Sequence, residues 1–467
     1  MMIIKQENQD VHSIAEFLAF CKFVSLKNII KQCCKFKSRG VHVFEIFQTL
    51  FFAVFQLRNL WRLSESGNNP VSFGLDTAYR FLNSPYHHWR NFLTQIAKSA
   101  VLFLSTMTSS DKRKVFIVDD SAYNKNRSKK IELLSWVYDH VNNKFVKGFR
   151  FLTLAFTDGI SLIPIDFALL GTEKIICGAN PDIDKRSSGF KRRLEAVVDA
   201  PSVLLSMLDN ARTLIRKGSY IVFDSWFCVP SLIREIAKRH LHVTGRLKND
   251  NTHFLFRRNG KDSFVNLEQL FGKLAKIPAI ARKRQQQMPD ILGSFRVCLP
   301  PVDGCKALAV KIVFVKNRSA SDANPWLAIL TTDLELSEEE IVCMYAKRWK
   351  IEEFFKVAKS LLKLEKEFQG RSYDMLIAHA TLVCTRYIFL ELERRRNVDT
   401  RTCGELFWYC CEEIADLKLK EALILICEAL QAFLGRFATQ SQDCLKEFIA
   451  SLPTPLLRLL SNSGCLP

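Results

Sequence analysis

Apolar residues recur at helical spacing at both ends of the chain and in short continuous runs between them. Residues 1–112 are predicted to be helical, and so is the stretch from about 371 to 467. Between these ends the apolar runs are short and β-rich, which predicts strands. These runs are VFIVDD at 115–120, FRFLTLAFTDG at 149–159, ISLIPIDFALLG at 160–171, YIVFDSWF at 220–227 and HVTGRLK at 242–248.

The order of these elements predicts a mixed α/β sheet. A helical stretch precedes the run that ends in Asp224, and a further helix follows that residue. Residues 250–325 interrupt the order with a segment that is basic at first and strand-like later, and another strand then returns to the core. In sheets of this kind, sites lie at the carboxyl ends of the strands. Asp119 or Asp120, together with Asp224, is predicted at two such ends.

A third carboxylate lies in a helical stripe of four polar residues. Tyr345, Arg348, Glu352 and Lys359 are spaced by three, four and seven positions, which on one α-helix places them within about 60° of one another. Ser337 is predicted as the N-cap of this helix. Its opposite side is apolar and can dock on a core; that side carries Ile351, Phe354, Phe355, Ala358 and Leu362.

This stripe has two interpretations. One carboxylate among two cations and a phenol suits a group that holds a metal ion beside a phosphate backbone. An ordinary amphipathic helix whose charges face water shows the same pattern. The two predicted strand-end aspartates favour the first interpretation, since three carboxylates can hold two Mg²⁺ ions about 4 Å apart that activate a water or a 3′-hydroxyl.

Composition restricts the kind of partner. The 467 residues carry a formal net charge of +19, which predicts an anionic partner. A nucleic acid is the first candidate and an anionic membrane surface is the alternative. Against a membrane, the apolar stretch at 41–57 contains His42, Glu45 and Gln48, and no run reaches the roughly 20 clean apolar residues of a spanning helix. The N-terminus shows no secretory signal, so a cytoplasmic protein is expected.

The cysteines predict neither disulfides nor zinc. There are 15 of them, spread through predicted helices and strands, and no CxxC pair occurs. We expect reduced thiols.

Residues 75–93 have the outline of a helix, a short turn and a second helix. The turn region carries His87, His88, Trp89 and Arg90. The segment fits a helix-turn-helix that reads DNA, and it fits equally an α-hairpin that packs on the next domain. The sequence leaves both open.

The pattern Y-x2-R-x3-E-x6-K, filled by Tyr345, Arg348, Glu352 and Lys359, resembles the signature of the bacterial insertion-sequence transposases of the IS-four type. These cut-and-paste enzymes have a DDE catalytic core. The resemblance covers residues 114 to about 390 and includes the long β insertion between the second Asp and the Glu. It implies an RNase H-like mixed sheet interrupted by a mostly β insertion and flanked by helical terminal regions.

The resemblance also implies roles for single residues. The family's first Asp is followed two positions on by Ser or Thr, which favours Asp119, with Ser121 after it, over Asp120. Asp224 and Glu352 correspond to the second and third carboxylates. Their implied cofactor is Mg²⁺, two ions per site, with Mn²⁺ as a substitute.

DNA contacts are implied in the same way. Tyr345, Arg348 and Lys359 correspond to residues that contact phosphates of the transposon ends. Trp326 corresponds in place to a Trp that stacks on a flipped base, although a core aromatic at the start of a strand is the alternative.

The implied activity is metal-dependent phosphoryl transfer on double-stranded DNA without a covalent protein intermediate. Strand cleavage at the terminal inverted repeats leads to hairpin formation, hairpin resolution and strand transfer into target DNA, carried out by a homodimer on the DNA. The alternatives are an RNase H-like metal-dependent nuclease and a non-catalytic DNA-binding protein derived from a transposase.

Five parts of the chain follow from these expectations. They are a helical N-terminal DNA-binding region at 1–112, the first part of the catalytic core at 113–249, a mostly β insertion at 250–325, the second part of the core at 326–370, and a helical C-terminal region at 371–467.

Overall fold

One continuous β-sheet with helices packed around it forms the protein in this computed structural model. The structure describes residues 12–34, 40–57, 73–107, 113–139, 142–258, 260–274, 290–302, 306–318, 325–368, 370–396 and 401–412. Part of the basic segment, with Lys276, Arg282, Lys283 and Arg284, lies outside the described residues, as does the C-terminal stretch 413–467.

The sheet has eleven strands. In chain order they are β1 (Val115–Asn124), β2 (Ser135–Asp139), β3 (Lys144–Thr157), β4 (Leu162–Leu170), β5 (Tyr220–Phe223), β6 (His242–Leu247), β7 (Phe254–Arg258), β8 (Lys261–Val265), β9 (Ile291–Leu299), β10 (Leu308–Lys316) and β11 (Trp326–Thr331).

Five strands of the sheet have RNase H-like topology. Strand β3 pairs antiparallel with β1 on one side and with β4 on the other. Strand β5 lies parallel to β1, and β6 lies parallel to β5. The resulting order β4-β3-β1-β5-β6 combines an antiparallel meander with two parallel strands beyond its first strand. The predicted fold class is therefore confirmed.

Strands of the insertion extend this same sheet. Strand β11 pairs antiparallel with β6, and β10, β9, β7 and β8 follow outward in that order. Most apolar side chains of β10 and β11 are buried, which explains their nearly continuous apolar sequence. The predicted insertion and the predicted core thus share one hydrogen-bonded sheet.

Twelve helices have defined bounds among the described residues. They are α1 (His12–Phe23), α2 (Leu26–Cys33), α3 (Val43–Phe52), α4 (Leu75–Leu82), α5 (Trp89–Thr106), α6 (Ser188–Glu195), α7 (Ala200–Asn210), α8 (Pro230–Lys238), α9 (Leu267–Leu274), α10 (Glu338–Ala346), α11 (Trp349–Ser360) and α12 (Tyr373–Arg396).

Helix α12 forms the centre of the helical layer. It contacts α5 and strand β4, and its residues from Tyr373 to Glu393 are buried. The helix is 24 residues long and apolar enough to cross a membrane, but its apolar window is 100% buried inside the protein. It is therefore a core helix in this fold, and its uniform burial accounts for its apolar sequence.

Buried ion pairs attach the N-terminal helices to this core. Arg386 of α12 pairs with Glu367 and donates to the backbone carbonyls of Leu50 and Phe51, both in α3. Losing one member of such a buried pair costs several kcal/mol, about 3–5. The N-terminal helices are consequently part of the same folded body as the sheet.

Candidate active site

The two predicted strand-end aspartates lie side by side where the parallel pairing of two adjacent strands, β1 and β5, ends. Parallel pairing of β1 and β5 ends with Val118 opposite Phe223, so Asp119 and Asp224 are the next residues on two adjacent strands. Strand β1 itself continues to Asn124, paired only with β3 over that stretch. Asp119 is thus inside a strand, but it lies where the parallel pairing ends.

The prediction of a single helix over 345–359 is wrong, because the chain forms two helices there, α10 and α11. At the junction, the amides of Lys347 and Arg348 donate to carbonyls three residues back, which tightens the chain into a 3₁₀-like turn. Tyr345 therefore belongs to α10, Arg348 to the junction, and Glu352 and Lys359 to α11. Ser337 and Glu340 form a capping box at the start of α10, as the sequence predicts for the N-cap.

Arg348 joins two of the three candidate carboxylates. Its Nη1 lies 3.0 Å from Asp119 Oδ2, and its Nη2 lies 2.7 Å from Glu352 Oε1. The Arg348 and Asp119 side chains are each 13% exposed, whereas Glu352 is 41% exposed. A single guanidinium thus holds the strand carboxylate and the helix carboxylate together.

The adjacent aspartate has another partner. Asp120 Oδ2 lies 2.7 Å from Arg150 Nε of β3, and the Arg150 guanidinium lies 4.1 Å from the ring centroid of Trp226. Neighbouring strand residues point to opposite faces, so Asp119 and Asp120 are directed to different cations. The structure links Asp119, and not Asp120, to Glu352 through Arg348.

Burial and neighbouring acids raise the pKa of both strand carboxylates. Burial raises the pKa of Asp119 to about 7; Arg348 opposes this rise, while Asp224 and Asp120 add to it. Burial also raises the pKa of Asp224; hydrogen bonds from the amides of Trp226 and Phe227 oppose that shift, and Asp120 adds to it. These shifts identify a desolvated pair of acids with too little positive charge nearby.

The three carboxylates do not form a ready metal cage. Within the described ranges, no three His, Cys, Asp or Glu side chains are grouped closely enough to hold a metal ion. Asp119 and Glu352 are instead satisfied by Arg348. Carboxylate oxygens are nonetheless the ligands that Mg²⁺ prefers, and the raised pKa values of Asp119 and Asp224 are those of acids that a cation would stabilise in their charged form.

The remaining residues of the helical stripe are also engaged. The guanidinium of Arg348 lies 5.9 Å from the ring centroid of Tyr345, and burial raises the pKa of the Tyr345 hydroxyl. Lys359 Nζ donates to the carbonyl of Ala122 in β1 at 2.5 Å and lies 3.5 Å from Glu365 Oε1. Lys359 thereby fixes the end of α11 to the strand that carries Asp119.

Trp326 lies in the core of the insertion. It is 6% exposed, stacks on Phe271 at 5.3 Å between ring centroids, and meets Phe314 edge-on. Of the two roles that the sequence leaves open, this position favours the core aromatic. In this conformation the ring is not accessible to a DNA base.

Two exposed tryptophans beside the carboxylates were not predicted as site residues. Trp226, two positions after Asp224, is 44% exposed, and Trp349, next to Arg348, is 61% exposed. In the sequence, only their proximity to candidate site residues could have indicated a role: Trp226 lies two positions after Asp224, and Trp349 follows Arg348. Arg150, which links Asp120 to Trp226, had no local signal.

The segment at 75–93 forms α4, a turn and the start of α5. His87 and Trp89 are buried, and Arg90 pairs with Asp166 of β4 at 2.8 Å and with Glu195 of α6 at 2.6 Å. These residues pack the hairpin on β4 and α6, which is the second of the two roles left open by the sequence. DNA binding by the N-terminal region stays a prediction.

Two family models match parts of this chain. A family model described as DDE superfamily endonuclease matches residues 56–260, and one described as transposase DDE domain matches residues 198–389. The first range contains Asp119, both ranges contain Asp224, and the second contains Glu352.

Among solved structures, the chain is similar to the cryo-EM structure of a piggyBac transposase synaptic complex with hairpin DNA. The similarity covers 94% of this chain and 85% of that chain, with 11% sequence identity and a TM-score of 0.41. No curated protein matches the chain. From the two family matches, which together run from residue 56 to residue 389, DDE-superfamily transposase domains are found in this chain.

Proposed function

We propose that this chain is a transposase that moves an insertion sequence by a cut-and-paste route. The proposed reactions are strand cleavage at the element ends, hairpin formation and resolution, and strand transfer into target DNA. The observation that carries the proposal is the link from Asp119 through Arg348 to Glu352, with Asp224 on the adjacent parallel strand. The matches to DDE-superfamily models support it independently.

The proposed cofactor is Mg²⁺, two ions per site, with Mn²⁺ as a substitute. Asp119, Asp224 and Glu352 are the proposed ligands, because they supply carboxylate oxygens and two of them have pKa values raised by burial. When bound, such ions activate a water or a 3′-hydroxyl and stabilise the oxygen that leaves the phosphodiester.

Arg348 is proposed to exchange its carboxylate partners for a DNA phosphate. Its planar guanidinium presents paired donors that suit carboxylate and phosphate alike. A phosphate at Arg348 would release Glu352, whose side chain is 41% exposed, against 13% for that of Asp119. Binding of DNA would in this way complete the set of acids at the reacting centre.

Tyr345 and Lys359 are proposed to hold the DNA on either side of Arg348. The raised pKa of Tyr345 keeps its hydroxyl protonated and able to donate to a phosphate. An ammonium has three donors, and the contacts of Lys359 with Ala122 and Glu365 leave one for a phosphate. Base stacking by Trp326 is not included in the proposal, because its ring is buried.

The proposed partners are the terminal inverted repeats and the target DNA. The net charge of +19 suits a polyanion. Both element ends must be held together, so we propose a homodimer on the DNA. The proposed place of action is the cytoplasm, where bacterial DNA lies.

The decisive experiment uses purified full-length protein, Mg²⁺ and a plasmid that carries the inverted repeats flanking the gene. A transposase excises the segment between the repeats and inserts it into a second plasmid, which sequencing of the junctions detects. A nuclease would linearise the donor plasmid and give no insertions. A non-catalytic DNA-binding protein would retard the repeat DNA in a gel and leave it uncut.

Substrate specificity supplies the control. A plasmid with scrambled repeats should give neither excision nor insertion under the same conditions. Equal cleavage of the scrambled plasmid would contradict the proposal and favour the nuclease. Retention of all three candidate acids, Asp119, Asp224 and Glu352, argues against the non-catalytic alternative.

A further inference from the structure

A second surface rich in aromatic and basic side chains lies on the hairpin of β2 and β3. Trp136, Tyr138 and Phe145 are exposed by 39%, 40% and 57%, respectively. Tyr138 is the direct cross-strand partner of Phe145, and Trp136 is the partner of Lys147. Alternation along each strand places these four side chains on one face of the hairpin. We call this face the hairpin patch.

Cations lie directly over the rings of the hairpin patch. Lys147 Nζ is 5.7 Å from the ring centroid of Trp136, and Lys174 Nζ is 5.2 Å from that of Phe145. The rings of Tyr138 and Phe145 contact each other at 5.2 Å. The patch therefore presents flat apolar faces together with positive charge.

The surrounding sequence adds further cations and few anions. The segment NKNRSKK at 124–130, which joins β1 to β2, contributes exposed basic residues, and Lys144 is exposed at the start of β3. Of the acids nearby, Glu132 is buried and paired with Arg193, and Asp139 is buried and accepts from Asn142. Glu173, next to Lys174, is the exposed acid of this region. The balance of charge at the surface is positive.

The hairpin patch lies on an extension of the strands that carry the candidate site. Asp119 of β1 is opposite Thr153 of β3, and β3 continues from Thr153 to Phe145 beyond the end of β1. Eight residues of strand at about 3.3 Å each span roughly 26 Å. DNA with 3.4 Å between nucleotides of one strand covers that distance in about eight nucleotides. A DNA strand held at Asp119 can therefore reach the hairpin patch about eight nucleotides further along.

We propose that the hairpin patch binds unpaired DNA, with bases stacked on Trp136 and Phe145 and phosphates held by Lys147 and Lys174. Aromatic rings stack on any base whose face is open, and base faces are covered within a duplex. A base that stacks displaces the lysine ammonium from the ring toward the flanking phosphates. The inference rests on the proposed function, because strand cleavage and hairpin resolution expose unpaired bases.

Charge favours DNA over protein as the occupant. Exposed aromatic residues also mark contacts between protein chains. A second copy of this chain carries the same net charge of +19, and like-charged surfaces disfavour association. A polyanion with aromatic bases matches both the rings and the cations of the patch.

The experiment measures binding of a fluorescent 20-nucleotide oligothymidine and of a 20-base-pair duplex by anisotropy, in buffer without divalent metal. The double substitution Trp136→Ala/Phe145→Ala should weaken binding of the oligothymidine at least about ten-fold, given the loss of two stacking contacts. Duplex binding should change by less than about two-fold, since phosphate contacts dominate it.

Two variants control for general effects. Phe264→Ala removes an aromatic side chain of similar exposure, 62%, from β8 in the insertion, and its binding to both DNAs should equal that of the unchanged protein. Trp136→Phe keeps a ring and should retain most of the oligothymidine affinity even if the double variant folds poorly.

Several outcomes would overturn the inference. They are an unchanged oligothymidine affinity in the double variant, an equal loss on the duplex, an equal loss in Phe264→Ala, or a loss of dimer mass by light scattering with DNA binding intact. The last would identify the patch as a protein interface. The unchanged protein could fail in the plasmid excision assay while the double variant selectively loses oligothymidine binding. That result would contradict the proposed function but still support DNA binding by the hairpin patch.

Discussion

Arg348 Nη1 lies 3.0 Å from Asp119 Oδ2, although the two residues are 229 positions apart in the chain. The same guanidinium holds Glu352. Both carboxylates are proposed metal ligands, so Arg348 competes with a metal ion for the same oxygens. Arg348 is also the proposed contact to a DNA phosphate. Removing it should therefore raise the affinity for metal and lower the affinity for DNA.

Replacing Arg348 with Gln is therefore expected to tighten metal binding and weaken DNA binding. Mg²⁺ or Mn²⁺ affinity of the DNA-free protein, measured by calorimetry, should rise at least about five-fold because no cation remains between Asp119 and Glu352. The slope of log affinity for repeat DNA against log salt should fall by about 0.9, as expected for one lost phosphate contact.

Lys350 provides the matched control for Arg348→Gln. It lies two residues away and pairs with Glu353, on the outer side of α11. Lys350→Gln should leave the metal affinity unchanged. An Arg348→Gln variant whose metal affinity falls would contradict the competition between guanidinium and metal.

Asp119 and Asp120 pair with different arginines, Arg348 and Arg150, so their substitutions should have different effects. Asp119→Asn should abolish strand cleavage, because a neutral amide supplies no charge to a divalent ion. Burial raises the pKa of Asp119, so removing its charge offsets the lost ion pair with Arg348 and the free energy of unfolding should change little. Asp120→Asn breaks the ion pair with Arg150, whose two side chains are 19% and 24% exposed. We expect it to lower the free energy of unfolding by about 1 kcal/mol and to retain cleavage.

Both variants are assayed with the same repeat substrate, and denaturant unfolding measures the stability. Loss of cleavage in Asp120→Asn with full cleavage in Asp119→Asn would reverse the assignment of the first catalytic acid.

Glu352→Gln tests the third carboxylate. The amide keeps the size of the side chain and can still contact Arg348, but it loses the negative charge that a divalent ion needs. We expect no detectable cleavage and unchanged retardation of repeat DNA in a gel. Glu353→Gln, one position further on α11 and 62% exposed, should cleave normally. Full cleavage by Glu352→Gln would remove it from the site.

Features of the site that depend on neighbouring residues, such as strand ends and a helix N-cap, were predicted from the sequence. Asp119 and Asp224 were predicted because each follows an apolar run that forms a strand, and the N-cap at Ser337 follows from the capping preference. The break between α10 and α11 was not predictable in this way. Spacings of three, four and seven look the same in a straight helix and in one with a tight turn at Lys347.

Long-range pairing accounts for the rest of what the sequence did not show. The ion pairs of Arg348 with Asp119 and of Arg150 with Asp120 join separate elements, so neither leaves a local signal. Strand β2 was not predicted, and its short sequence SWVYD gains stability only by pairing with β3. The antiparallel pairing of β11 with β6, which makes the insertion part of the catalytic sheet, is equally non-local.

Trp326 gives a prediction that separates its two candidate roles. As a buried core residue in contact with Phe271 and Phe314, its replacement by Ala should lower the free energy of unfolding by about 3–5 kcal/mol. Trp326→Phe should recover part of that loss because it refills most of the space. Denaturant unfolding measures both. An Ala variant of unchanged stability that fails only in hairpin formation would restore the base-stacking role.

His87 makes stability dependent on pH in a direction that its environment sets. Its side chain is 1% exposed, it lies between Phe81 and Trp89 at 4.9 and 5.4 Å, and neither ring nitrogen has a hydrogen-bond partner within the described part of the chain. Burial lowers its pKa to about 4, Arg192 and His88 add to the effect, and Asp374 opposes it. The folded protein therefore holds His87 neutral.

A depressed histidine pKa stabilises the folded state above the unfolded pKa, and this contribution is lost as pH falls from about 6.5 to about 4. Between pH 7 and pH 5 the loss is about 2 kcal/mol. Other groups titrate in this range, so the measurement is the difference between the unchanged protein and His87→Phe, which keeps an aromatic ring without a titratable nitrogen. The unchanged protein should lose about 2 kcal/mol more than the variant on acidification, and parallel curves for the two would show that His87 does not titrate on unfolding.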